Sequence, residues 1–133
     1  MTMRIARVLL VDDDPDIRAS VGQALDSAGY DVHEAANGHQ ALAHLLEANT
    51  VPDVILLDLL MPVMNGWQFC EAKRAVPAAV DIPVIAMSAA VSRDPASPYY
   101  LEVSDFVAKP LDLDDLLSKL SSVISGHKGG VSL

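Results

Sequence analysis

Two hydrophobic rhythms alternate along this chain. Ile5-Ala6-Arg7-Val8-Leu9-Leu10-Val11 is a short, β-branched run that stops at Asp12-Asp13-Asp14, the form of a strand covered on both faces. Asp14 and Pro15 then suit the cap and first turn of a helix, where Ile17, Val21, Leu25 and Ala28 recur at helical spacing until Gly29 ends the run. The unit repeats. Asp31 to Ala35 reads as a strand, and Asn37-Gly38 opens a helix with an apolar stripe of Leu42, Leu45 and Leu46. After Pro52, Asp53-Val54-Ile55-Leu56-Leu57-Asp58 is a third strand, followed by a helix from Gly66 to Val76 that spaces Trp67, Cys70 and Arg74 along one side. Ile82 to Met87 is a fourth strand beginning beside Pro83, and Ser88 follows it.

Between Ala89 and Leu101, Pro95 and Pro98 interrupt the pattern, so the fourth helix is expected to be short or irregular. Val103 to Ala108 is a fifth strand, followed by Lys109-Pro110. A last helix is capped by Asp112, lined by Leu113, Leu116, Leu117, Leu120, Val123 and Ile124, and expected to stop at Gly126. The bounds are then one domain over 1–126 and a flexible tail over 127–133. Strands alternating with helices predict an α/β fold, a single doubly wound five-stranded parallel sheet with helices on both faces. In strand order 2-1-3-4-5, ligands bind beyond the carboxyl ends of the strands, where the order reverses.

The length of 133 residues suits one domain. Nine basic against eighteen acidic residues leave a formal charge of -9, which opposes attraction to nucleic acid phosphates or an anionic membrane. Apolar stretches fall far short of the roughly 20 residues needed to span a bilayer. Met1 to Val11 lacks a signal-peptide pattern, so a cytoplasmic location is expected. Cys70 is the only cysteine, which excludes an internal disulfide and a thiolate metal cluster.

Candidate chemistry gathers where the topology puts it. Asp12 and Asp13 follow the first strand, Asp58 ends the third, Ser88 follows the fourth and Lys109 the fifth. Three carboxylates in one crevice repel one another, and a hard divalent cation with oxygen ligands answers that repulsion. If a phosphoryl group reaches Asp58, that carboxylate is the nucleophile, Lys109 can pair with one phosphoryl oxygen, and Ser88 can donate to another. No histidine stands at a strand end to act as a hydrolytic base. For His33, His39, His44 and His127, a surface position is the default.

Val8-Leu9-Leu10-Val11-Asp12-Asp13-Asp14, Asp58 with Met61-Pro62 and Asn65-Gly66, Ser88-Ala89, and Lys109-Pro110 together resemble the response regulator receiver family of two-component systems, over about residues 5 to 125. The resemblance implies a flavodoxin-like receiver fold, with Asp58 as phosphoacceptor and Mg²⁺ or Mn²⁺ held by Asp12, Asp13, Asp58 and the backbone carbonyl of Leu60. It further implies that Ser88 and Phe106 form the switch, with core packing as the alternative reading of Phe106, and that a cis peptide precedes Pro110. Implied partners are a histidine kinase or phosphotransfer protein upstream and a protein target or output domain downstream, with no direct nucleic acid or membrane contact. Such a chain is a signalling switch, not an enzyme with a separate substrate.

Two features depart from the family pattern. Pro95, Pro98, Tyr99-Tyr100 and Glu102-Val103-Ser104 stand where members carry a longer fourth helix and a glycine before the fifth strand, so partner binding through that surface is expected to be altered. Leu60 and Ala90, two residues past Asp58 and Ser88, flank the path of the attacking water and cannot orient it, so slow loss of the phosphoryl group is expected. A haloacid-dehalogenase-type phosphatase is the enzymatic rival, but Pro15-Asp16 stand where it needs a threonine or valine, and Asp58 is left without a role. A calcium loop from Asp12 fails because Ile17 replaces its glycine and Gln23 its bidentate glutamate. A receiver-like interaction module that is never phosphorylated keeps the fold and loses the switch.

Overall fold

The structure is a computed structural model that describes residues 5–47, 51–88, 94–98 and 100–131, with side chains described as far as 126. Five parallel strands, β1 (Arg7–Val11), β2 (Asp31–Ala35), β3 (Val54–Asp58), β4 (Val84–Met87) and β5 (Asp105–Val107), form one sheet in the order β2-β1-β3-β4-β5. The helices are α1 (Pro15–Ser27), α2 (Gly38–Leu46), α3 (Gly66–Lys73) and α4 (Leu113–Val131). The α/β doubly wound reading stands.

Because side chains alternate along a strand, each central strand feeds two cores. Leu9, Val11, Ile55, Leu57, Val84 and Ala86 turn toward Ala41 and Leu45 of α2 and Phe69 of α3. Val8, Leu10, Val54, Leu56, Ile85 and Met87 turn toward Val21 and Leu25 of α1 and Leu116 and Leu120 of α4. A strand buried on both sides must be apolar at every position, which is why β1 and β3 read as unbroken runs. The first polar residue at the carboxyl end of each then lies at the sheet's rim.

Helix boundaries follow their local chemistry. Asp14 caps α1 by accepting from the amides of Asp16 at 2.9 Å and Ile17 at 3.4 Å. At its far end Gly29 takes φ +96°, and the Gly29 and Tyr30 amides return to the carbonyls of Asp26 and Leu25, the bond pattern that satisfies the last turn's orphan acceptors. Asp112 caps α4 in the same manner as Asp14 caps α1, at 3.0 and 3.2 Å to Asp114 and Asp115.

Several expected boundaries move. The strands are shorter than their apolar runs, because residues such as Ile5, Ile82 and Val103 flank the ladders without joining them. α3 stops at Lys73 instead of Val76, as the amides of Arg74, Ala75 and Val76 switch to carbonyls three residues back and tighten the last turn. α4 does not stop at Gly126 but continues to Val131. A glycine ends a helix by adopting positive φ, and only Gly29 does so among the described glycines. Leu46 and Leu113, placed on apolar faces by their spacing, are exposed, while Leu42 and Leu45 pack as expected. Of the short or irregular fourth helix expected between Ala89 and Leu101, residues 89–93 and 99 lie outside the described residues, and the described residues 94–98 form turns and no helix.

Candidate functional site: an acidic cleft at the strand ends

At the carboxyl edge of β1, β3 and β4, the side chains of Asp12, Asp13, Asp58, Leu60, Ser88 and Lys109 line a cleft of about 660 Å³. Asp12, Asp58 and Ser88 are buried, whereas Asp13 is exposed. One carboxylate oxygen from each of Asp12, Asp13 and Asp58 lies within 4.8 Å of the other two. Adjacency of β1 and β3 makes this possible, since Val11 stands in register with Leu57 and the next residue on each strand is an aspartate.

Lys109 arrives from the β5–α4 connection across a cis Lys109–Pro110 peptide. Its Nζ donates to Asp12 Oδ2 at 2.9 Å and lies 3.4 Å from Asp58 Oδ1. Asp12 Oδ1 accepts from the Asp14 amide at 2.9 Å, and Asp58 Oδ1 from the Leu60 amide at 3.3 Å. Ser88 continues the sheet ladder by donating its amide to the Val107 carbonyl at 2.9 Å, which places its side chain at the cleft wall.

The electrostatics are those of crowded like charges. Burial, and then the negative charge of Asp12, push the Asp58 carboxyl above the ordinary range, against the pull of Lys109 and the Leu60 amide. For Lys109 burial works the other way, yet its hydrogen bond to Asp12 and the charges of Asp58 and Asp12 hold it above the usual lysine value. One ammonium thus faces more negative charge than it neutralises, which leaves the cleft suited to a further cation.

Response regulator receiver domain is the family whose model matches residues 8–121. The chain belongs to this family. The receiver domain is 35% identical over 121 residues to the DNA-binding dual master transcriptional regulator RpaA of Synechocystis sp., covering 89% of this chain and 48% of that protein. It is 34% identical over 119 residues to the phosphate regulon regulator PhoB of Pseudomonas aeruginosa, covering 88% of this chain and 51% of that protein. The chain therefore spans about half the length of these curated relatives. Among solved structures, chemotaxis response regulator CheY4 of Vibrio cholerae aligns with a TM-score of 0.79 at 34% identity, covering 90% of this chain and 99% of that one. The receiver domain of a sensor histidine kinase from Pseudomonas aeruginosa, solved with a magnesium ion in its active site cleft, aligns at 0.77 and 27%, covering 92% and 99%. The fold and the two-component family expected from the sequence are thus established.

Not every residue singled out in the sequence converges on the cleft of this receiver domain. Phe106 lies on β5, half-buried against the core on the α2 and α3 side, and does not line the cleft. Ala90 lies outside the described residues. Trp67 packs at the start of α3 against the core, as its position implied. Two contacts are not legible in the sequence: the close approach at Gly66, which reads there only as a helix start and part of the family pattern, and the bond made by Arg18. Gly66 brings α3 against the strand that carries Asp58, since a Cβ there would stand 2.7 Å from Leu59 Cα and 3.2 Å from the Asp58 carbonyl. Arg18, whose only sequence signal is a cation one turn beyond three aspartates, bonds the Asp12 carbonyl at 2.6 Å.

Proposed function

We propose that Asp58 accepts a phosphoryl group from a phosphohistidine of a histidine kinase or phosphotransfer protein, in a reaction that requires Mg²⁺ or Mn²⁺. Phosphorylation then switches contacts with a downstream protein target or output domain. The observation that carries this reading is the convergence of the Asp12, Asp13 and Asp58 oxygens within 4.8 Å of one another. The donor set fits a hard divalent cation, because all three groups are anionic oxygens and two belong to buried residues whose charge needs compensation. Asp12, Asp13 and Asp58 would hold it together with the Leu60 carbonyl, and the magnesium-bearing neighbour of 27% identity supports that assignment. Once bound, the cation offsets charge on the transferring phosphoryl oxygens.

The protein's own residues supply the rest. An Asp58 oxygen forms the new P–O bond as the P–N bond to the donor imidazole breaks, and the leaving nitrogen keeps the electron pair. Lys109, 3.4 Å from Asp58 Oδ1, is close enough to exchange Asp12 for a phosphoryl oxygen. Ser88 is the donor to another oxygen, and Phe106 follows its movement. Because the Asp58 carboxyl is raised, it must be deprotonated before it can attack, so the reaction weakens on the acid side.

Intact mass after acetyl phosphate treatment, with and without Mg²⁺, tests the proposal on wild type and Asp58→Asn. A phosphate adduct on wild type alone, and only with Mg²⁺, is the expected result. An adduct that survives Asp58→Asn but not Asp12→Asn would favour the phosphatase rival, and no adduct under any condition would favour the unphosphorylated interaction module.

A further inference from the structure

The backbone of Asp12 is held on both sides of its Cα. The Asp12 amide, in the peptide that follows Val11, donates to the Ala35 carbonyl of β2 at 3.2 Å, and the Asp12 carbonyl, in the peptide that leads to Asp13, accepts from an Arg18 guanidinium nitrogen at 2.6 Å. Arg18 itself is anchored, its Nε lying 3.5 Å from Glu34 Oε1 on β2, with 19% of its side chain exposed. Gly22 keeps space for that anchor, because a Cβ there would come within 3.3 Å of Glu34 Oε2. A guanidinium carries its donors in a rigid planar fork, so one side chain can serve a carbonyl and a carboxylate together in a fixed relative geometry. The cation this near three carboxylates therefore bonds backbone at the site and a carboxylate outside it.

We infer that Arg18 is a positioning residue of the acidic cleft: braced by Glu34, it fixes the Asp12–Asp13 peptide and so sets where the exposed Asp13 carboxylate is offered to a bound cation. The inference rests on the metal-dependent reading above. Charge and positioning give opposite signs here, which makes the two separable. Removing a guanidinium from beside three carboxylates should tighten cation binding by charge alone. Releasing the peptide should loosen Asp13 and weaken binding, and outer partners that orient ligands are worth roughly 10- to 100-fold in metal affinity.

The test is Mn²⁺ binding to the full chain, read from the paramagnetic resonance of free Mn²⁺, for wild type, Arg18→Met, Arg18→Lys, Glu34→Gln and the double variant Arg18→Met with Glu34→Gln. Arg18→Met is expected to weaken binding by about tenfold or more. Its acetyl phosphate labelling should need more Mg²⁺ for half-saturation yet approach the wild-type maximal rate at saturating Mg²⁺, a split that general loss of fold does not produce. Arg18→Lys, which preserves the charge but not the planar fork, should fall between. Glu34→Gln should weaken binding in the wild-type background and have no effect on Arg18→Met, the non-additivity of two residues acting through one contact. Equal or tighter binding by Arg18→Met overturns the inference while leaving the proposed function intact, and should that variant not fold, wild-type affinity in Arg18→Lys overturns it equally. Failure of wild type to bind Mn²⁺ at all overturns the metal-dependent reading itself.

Discussion

Lys109 is separated from Asp12 by 97 positions in the chain, yet its ammonium donates to Asp12 Oδ2 at 2.9 Å and stands farther, at 3.4 Å, from Asp58. The lysine thus compensates the fully buried acid of the first strand, and on the proposed function it would compete with a bound cation for the same oxygens. Lys109→Met should tighten Mg²⁺ binding by roughly three- to tenfold, the scale of about 1 kcal/mol of relieved repulsion in a partly open site. It should also lower the yield of phosphorylated Asp58. Calorimetric titration of Mg²⁺ checks the first outcome, and unchanged or weaker affinity would show that the ammonium does not compete.

At the opposite end of the sheet, Lys73 is buried and donates to the Val80 carbonyl at 3.2 Å. Burial draws its pKa below the ordinary 10.5. The unfolded chain then holds this proton more tightly than the folded one, so the penalty of the buried charge is present at neutral pH and fades as pH rises through the window from the lowered folded value to 10.5. Urea unfolding should show the stability difference between Lys73→Met and wild type shifting in favour of wild type as pH climbs through that window. A difference independent of pH would mean that Lys73 is not desolvated.

Val63 carries φ +69° while 85% of it is exposed. Left-handed backbone costs an L-residue roughly 1–2 kcal/mol, and glycine recovers most of that against a larger unfolded-state entropy of about 0.5–1 kcal/mol. Val63→Gly is expected to stabilise the domain by about 0.5–1 kcal/mol in chemical denaturation. A loss of stability would place this loop in a different conformation in solution.

Leu60 is 67% exposed at the lip of the cleft, where a water attacking phosphorylated Asp58 would pass. An apolar side chain cannot orient that water, so Leu60→Asn should shorten the half-life of the phosphorylated protein by about threefold or more. Phosphate release after removal of the phosphodonor measures it. An unchanged half-life would assign the slow step elsewhere in the cleft.

Most of the architecture is legible locally. Val8 to Val11 of β1 and Val54 to Leu57 of β3 are runs without a polar position because both faces are covered, and their ends are marked by the aspartates that form the cleft. Asp14, Gly29 and Asp112 mark helix ends because capping is chemistry between near neighbours. Where a decision depended on surroundings, the local reading failed. Gly126 carries the composition of a helix stop but not the positive φ, and Leu46 and Leu113 carry apolar side chains that packing leaves exposed.

By itself, the sequence determined the order of strands and helices, the single-sheet fold class and the five polar residues at strand ends, because periodicity, capping and turn residues act over a few positions. Only the tertiary structure decided that Lys109 sits closer to Asp12 than to Asp58, that Arg18 holds the Asp12 carbonyl, that Gly66 lets α3 approach Leu59, and that Phe106 lies apart from the cleft. Those relationships join residues on different elements. Their distances are set by how the sheet and its two helical layers pack, which no local pattern of residues encodes.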